Sequence, residues 1–346
     1  MGSCCSKGEP VSIGGTPDKH YAEFVQKLPN LDGKVVCVTG TTSGTGYYYA
    51  LAAAKKGATV IMLNRSSERA AASANSLRGE CSDGKFDDTI PCDLMSFESV
   101  RAAGELMLAK YATTGIHVLC CNAGIMAFPD EATKDGYDVQ MQTNHLSHFL
   151  LTSLLLPLLE KAADKEGEAG QARIVNHSSM ARHEGKLIEK YLQKNGGNLG
   201  GNGANMLVGA RWRRYGQTKL ANAVFTQALS KRLSSMNSKV ISACAAPGLA
   251  QTNLQVATLA TGGMSNGCCG SMCIMSLAQS PADGSMPILH ASFMPAVQSG
   301  DFYEPPGMGL KGLPTKVKAT KHETHVASHE MLWTASETAI GAKFLS

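Results

Sequence analysis

From Lys34 onward, short apolar runs alternate with longer stretches of helical periodicity, and this rhythm limits the fold more than any other feature of the chain. The runs are Val35–Val38, Thr59–Leu63, Thr89–Pro91, Val118–Cys121, Ile174–Asn176 and Val240–Ala245. Each is apolar on both faces and followed by a polar turn, as parallel strands covered by helices on both sides require. The alternation predicts an α/β fold built on one doubly wound parallel sheet with helices on both faces. An apolar fraction of 43% against 17% charged residues supplies the core such a sheet needs and argues against disorder. Two stretches break the rhythm, at about 185–214 and about 255–284. Long irregular segments in a compact fold are usually functional or disordered. The first reads as a surface insertion near the site and the second as a mobile lid over it. Residues 31–346 form the expected domain, preceded by a tail and linker over residues 1–30.

The first strand runs into Thr39-Gly40-Thr41-Thr42-Ser43-Gly44-Thr45-Gly46, after which a helix opens at Tyr47. Gly40, Gly44 and Gly46 permit a tight turn, close approach of backbone to a pyrophosphate and close packing of helix on strand. Thr42, Ser43 and Thr45 complete the phosphate-facing loop, and the helix N-terminus offers free N–H groups to an anion. This context makes the sheet Rossmann-type. The second strand ends in Asn64-Arg65-Ser66. An acidic side chain here would hold a ribose 2′-hydroxyl. Arg65 instead suits a 2′-phosphate, so the expected cofactor is NADP(H).

Arg211 through Leu220 begins a helical pattern in which Tyr215 and Lys219, four residues apart, share a face. An adjacent ammonium favours the phenolate and is expected to lower the tyrosine pKa toward neutrality, which would make Tyr215 an acid/base group. Asn122-Ala123-Gly124 after the fourth strand, Ser178-Ser179 after the fifth and Tyr-x-x-x-Lys follow the glycine turn in that order. Together they resemble the short-chain dehydrogenase/reductase superfamily from about Leu31 to the C-terminus. The segments 121–126, 143–149 and 215–223 are most similar to its retinol-dehydrogenase-like and protochlorophyllide-reductase-like branches. Gly300–Tyr303, Leu332-Trp333 and Ser336-Glu337 agree with the terminal pattern of that branch.

The resemblance implies roles for residues of this chain. Tyr215 would give or take the substrate proton. Lys219 would lower its pKa and hold the nicotinamide ribose, and Ser179 would bond the substrate oxygen, Ser178 being its neighbour. Asn144 would hold a water linking Lys219 to solvent. Asp93 and Leu94 would contact adenine, and Asn122, Ala123 and Gly124 would line the cofactor cleft. Pro247, Gly248 and Thr252 would meet the nicotinamide amide. The implied activity is hydride transfer between NADP(H) and a carbonyl or alcohol on a small lipophilic substrate. A double-bond reductase, or a tethered NADP(H)-binding protein without turnover, are the alternatives. Thr45 departs from the aliphatic residue usual in the turn, and Tyr47-Tyr48-Tyr49 is a bulky helix start.

The chain opens Met1-Gly2-Ser3-Cys4-Cys5-Ser6-Lys7, an N-myristoylation pattern at Gly2. One acyl chain anchors only marginally, and Cys4 and Cys5 stand where palmitoylation would add a second. The expectation is a cytoplasmic protein tethered to the cytosolic face of a membrane. Eleven cysteines without a repeating spacing read as free thiols of a reducing compartment. Neither Cys268, Cys269 and Cys273 nor His322, His325 and His329 is expected to bind metal. A net charge of +4 demands no nucleic-acid partner. The apolar run Leu146–Leu159 reads as a buried core helix, Arg211–Arg214 as a solvated loop, and a homodimer follows from the resemblance alone.

Overall fold

The computed structural model describes residues 16–165, 171–183, 185–204, 208–264, 278–307 and 309–345. Among these residues, eight strands form one sheet in the order β3-β2-β1-β4-β5-β6-β7-β8. They are β1 Val35–Thr39, β2 Thr59–Leu63, β3 Lys85–Asp87, β4 Val118–Cys121, β5 Ala172–His177, β6 Val240–Ala245, β7 Phe302–Glu304 and β8 Thr315–Val317. Neighbours pair in parallel from β3 through β7, and β8 closes the edge antiparallel to β7. The order reverses between β1 and β4, where a doubly wound sheet leaves a crevice outside the carboxyl ends of its strands.

Among the described residues, ten α-helices pack around the sheet: α1 Tyr21–Gln26, α2 Gly44–Lys55, α3 Glu68–Glu80, α4 Phe97–Lys110, α5 Val139–Met141, α6 Ser147–Lys165, α7 Ala210–Ser235, α8 Asn253–Ala260, α9 Pro281–Phe293 and α10 Val326–Ile340. Local chemistry starts several of them. Ser67, Ser96 and Ser280 each accept a first-turn N–H at the N-caps of α3, α4 and α9, and Pro281 takes the first position of α9. Gly341 ends α10 in the left-handed conformation, φ 65°. One face of the sheet is sealed by apolar side chains of α1, α2, α3 and α9, the other by those of α4, α6, α7 and α10. The run Val139–Lys165 is apolar and long enough to cross a membrane, yet 72% of its apolar window lies buried within this fold, as expected for a core helix.

Three expectations need correction. The third strand lies at Lys85–Asp87 rather than Thr89–Pro91, with only an isolated bridge from Pro91 to Asn64. Residues 16–30 are not a free linker, because Tyr21, Phe24 and Leu28 bury in the core and Asp283 accepts the main-chain N–H groups of Lys19, His20 and Tyr21. The stretch 255–284 is not irregular throughout. It lies partly in α8 and ends in α9, and its residues 265–277, with Cys268, Cys269 and Cys273, lie outside the described residues, as do Gly2, Cys4 and Cys5.

Candidate active site

A cleft of about 1030 Å³ opens over the carboxyl ends of the strands. A smaller hollow of about 410 Å³ between α6 and the turn after α7 contains none of the residues discussed below.

The floor at one end is the glycine turn. Gly40 and Gly44 hold φ of 73° and 64°, which L side chains rarely adopt. A Cβ on Gly46 would sit 2.1 Å from the Gly40 carbonyl oxygen and 2.4 Å from Asn122 Nδ2, so nothing larger than glycine fits where α2 meets β1. Ser43 occupies the α2 N-cap without a side-chain capping bond, leaving the first-turn N–H groups to a ligand. Its Oγ accepts from Arg69 Nη2 at 2.7 Å instead. Thr42, Ser43, Gly44 and Thr45 line the cleft beside Arg65 and Arg69. Both guanidiniums are exposed at its rim, an arrangement that suits a terminal phosphate. These features fit a phosphorylated dinucleotide. Arg69, in the first turn of α3, escaped the sequence reading, although it stands only four residues after Arg65.

The wall beyond is built from β4 and the residues after it. Asn122 Nδ2 donates to the carbonyls of Thr39 and Gly40, tying β4 to the turn. Ala123 and Gly124 line the cleft with Asp93 and Leu94. Asp93 Oδ1 accepts the Met95 N–H at 2.9 Å. Opposite, Thr252 caps α8 through a reciprocal pair with Gln255, and Gly248 at φ 69° runs so close to Leu310 that a Cβ would lie 2.4 Å from its carbonyl oxygen. Gln279 Nε2 fastens the Pro247 carbonyl at 2.6 Å.

At the reacting end, α7 carries Tyr215 and Lys219 on one face, both buried and both lining the cleft. Ser179, just past β5, lines the cleft with Tyr215, and its side chain favours the phenolate. Ser178 faces the other way and donates to the Lys219 carbonyl at 2.7 Å. Lys219 Nζ donates to the His177 carbonyl at 3.0 Å and lies 5.6 Å from the centre of the Tyr215 ring. Burial pushes the Tyr215 phenol up to about 12, opposed by the Ser179 side chain. Burial also pulls the Lys219 ammonium down to about 8. The expectation that Lys219 lowers the tyrosine pKa therefore does not hold here. Desolvation dominates both groups, and at neutral pH the tyrosine stays a phenol.

Asn144 sits in a π-helical turn, Gln142–Leu146, between α5 and α6. Its amide pins Ile125, accepting that N–H at 2.8 Å and donating to that carbonyl at 2.9 Å, and also donates to Thr218 Oγ1. It stands behind Gly124, not in the cleft. Its carbonyl accepts Asn222 Nδ2 at 3.1 Å. Asn222 also donates to the His177 carbonyl and so joins Asn144 to the Lys219 anchor. It was missed by sequence, although its spacing of seven from Tyr215 returns it to the same helix face.

Around the Tyr215 ring packs an apolar cluster of Ala127, Trp212 and Met264, joined by Met126, Ala181 and Leu259, and of these Met126, Ala181, Trp212 and Met264 line the cleft. Residues 211–214 are not a solvated loop. They form the first turn of α7, and only Arg213 is exposed. The Arg214 side chain has no exposure and lies against Asp138 and Asp130 at 3.2 and 3.6 Å. Asp130 also accepts the N–H groups of Leu199 and Gly201, which ties the 185–214 insertion to the cleft wall.

Comparison with known proteins gives the same picture. The model of the short chain dehydrogenase family matches residues 34–189. A short-chain dehydrogenase/reductase of Armillaria gallica is 35% identical over 232 residues, covering 67% of this chain and 70% of that one. The chain belongs to the short-chain dehydrogenase/reductase family. Within the family it is retinol-dehydrogenase-like: human retinol dehydrogenase 12 is 35% identical over 206 residues, 59% of this chain and 58% of that one. Two fungal relatives are matched over 63% and 56% of their lengths. An uncharacterized protein from Mycobacterium paratuberculosis has a solved structure with this short-chain dehydrogenase/reductase fold, at TM-score 0.69 and 27% identity, covering 92% of this chain and 98% of that one.

Proposed function

We propose that this oxidoreductase uses NADP(H) and reduces the carbonyl of a small lipophilic molecule, the reverse oxidation running through the same groups. The observation that carries the reading is the hydroxyl pair of Ser179 and Tyr215, backed by Lys219 and flanked by the apolar cluster around Trp212 and Met264. Arg65 and Arg69 beside the glycine turn support the phosphorylated cofactor.

The dinucleotide, when bound, supplies the hydride to the carbonyl carbon. Ser179 donates a hydrogen bond to the carbonyl oxygen and orients it. Tyr215, held protonated by burial, transfers its proton to that oxygen as charge develops, giving the alcohol. Lys219, anchored on the His177 carbonyl, places an ammonium next to the phenolate that this step leaves. Met126, Ala181, Trp212 and Met264 exclude water and accept an apolar substrate body. A screen of NADPH oxidation over retinoid, steroid, fatty and aromatic aldehydes and ketones tests the reading. Turnover should fall about 10²–10⁴-fold in Tyr215→Phe with NADPH binding retained; equal rates in the variant would overturn it.

The tail supports a second element of the proposal, a tether to a cytosolic membrane face through acylation at Gly2, Cys4 or Cys5. The first described residue, Thr16, donates its N–H to Gln251 Oε1 between the cleft-lining Ala250 and Thr252. An anchored tail would therefore meet the fold beside the cleft mouth. Mass spectrometry of the mature N-terminus decides, and an unmodified Gly2 ends the idea.

A further inference from the structure

Among the described residues that line the cleft, only Thr143 and His177 carry a buried polar side-chain atom without a hydrogen-bond partner. The threonine hydroxyl turns freely, whereas the histidine ring is fixed. His177 ends β5 two residues before Ser179, and three parts of the site converge on it. Its carbonyl accepts Lys219 Nζ at 3.0 Å and Asn222 Nδ2 at 3.1 Å. Its ring Nδ1 lies 2.9 Å from Asn122 Oδ1, which also accepts Thr45 Oγ1 at 3.0 Å.

The tautomer follows from this network. Asn122 Nδ2 donates to two carbonyls, those of Thr39 and Gly40, which fixes the amide with Oδ1 as acceptor. His177 Nδ1 must then carry the proton, and Nε2 presents a lone pair. Burial and the Lys219 charge hold the ring neutral. Thr45, the polar residue that departs from the usual glycine turn, is thus the second donor to the oxygen that sets the imidazole. A buried acceptor left unmade is costly, and each one retained in a native fold calls for an explanation, a donor on a ligand among them.

We infer that His177 is a positioning residue whose Nε2 accepts a hydrogen bond from an O–H or N–H donor on the nicotinamide half of the bound dinucleotide. The inference rests on the reading of the cleft as an NADP(H) site. It gives the Thr45–Asn122–His177 chain a purpose, since one network then sets both the phosphate turn and the reacting end.

Two variants separate the ring nitrogens. His177→Asn keeps a donor within reach of Asn122 and deletes Nε2, while His177→Gln places an amide where Nε2 stood. Calorimetric titration with NADP⁺ should show about 3- to 10-fold weaker binding for His177→Asn, the loss of one neutral hydrogen bond, and near wild-type affinity for His177→Gln. Titration with 2′-phospho-ADP, which lacks the nicotinamide half, should not distinguish the variants. In protein labelled with ¹⁵N-histidine, the Nε2 resonance absent from His177→Asn should move when NADP⁺ is added. Unchanged affinity in His177→Asn, equal weakening toward both probes, or a stationary resonance overturns the inference while leaving the cofactor assignment standing. Failure of the wild-type protein to bind NADP⁺ overturns both.

Discussion

The indole of Trp212 stands edge-on to the phenol ring of Tyr215, with centroids 6.0 Å apart and planes at 87°. Its Nε1–H donates to the Gly263 carbonyl at 2.9 Å, and the neighbouring Arg211 donates to the Thr261 carbonyl. The first turn of α7 thus holds the far end of α8, and the helix bearing Tyr215 also fixes the apolar wall beside it. Trp212→Phe keeps a ring against Tyr215 and deletes the clasp. The expected outcome is a several-fold rise in KM for lipophilic carbonyls with NADPH affinity unchanged, read by steady-state kinetics and direct titration.

Lys219 is held in the fold against its preference for water. Its pKa drops from 10.5 in the free side chain to about 8, so the folded chain loses this proton first. The penalty is complete below about pH 8 and disappears as pH rises to 10.5, where the unfolded chain also deprotonates. The penalty amounts to about 3 kcal/mol, offset by about 1 kcal/mol for the bond to the His177 carbonyl. That carbonyl keeps its Asn222 donor in Lys219→Met. This variant should be roughly 2 kcal/mol more stable than wild type at pH 7, and the gap should close between pH 8 and 10.5 in urea melts.

Arg65 and Arg69 both line the rim of the cleft, Arg69 bonded to Ser43. Charge-assisted bonds to a phosphate are worth more than neutral ones. Alanine at either position should weaken NADP⁺ binding about tenfold or more while leaving NAD⁺ binding nearly unchanged. Parallel titrations with the two dinucleotides at low and physiological salt provide the check.

Arg214 is the largest fully buried side chain, and its pairing with Asp138 at 3.2 Å falls short of hydrogen-bond geometry. Burial nonetheless pushes the Asp138 carboxyl up to about 6, with the Arg214 charge opposing. Arg214→Met would strand Asp130 and Asp138. A loss of about 3–5 kcal/mol in unfolding free energy is expected, and a loss near zero would show the pair to be dispensable.

Much of the site was readable because its chemistry is local. The glycine turn and the spacing of Tyr215 and Lys219 need only one turn or one helix to take shape. The strand at Lys85–Asp87 was misplaced because it is three residues long, with an exposed lysine at one end and an aspartate bound by Lys110 at the other. No apolar run marks it, and the apolar neighbour Thr89–Pro91 took its place. Arg214 looked like a surface cation because Asp130 and Asp138 lie more than seventy residues earlier. The pKa of Tyr215 was misjudged for a related reason. Helix spacing shows which charge is near, but only the packed pocket shows how much water has left. His177 gave no signal at all, since its meaning depends on Asn122 arriving from the end of β4 and Thr45 from the first turn of α2.

The doublet after β5 divides its labour by parity. Ser178 turns toward α7 and buttresses the Lys219 carbonyl, and Ser179 turns toward the tyrosine. Successive side chains of an extended chain alternate in direction, so a slip of one residue would exchange scaffold for reagent. The border between what holds this enzyme upright and what makes it act is therefore a single peptide unit wide, and two identical amino acids stand on opposite sides of it.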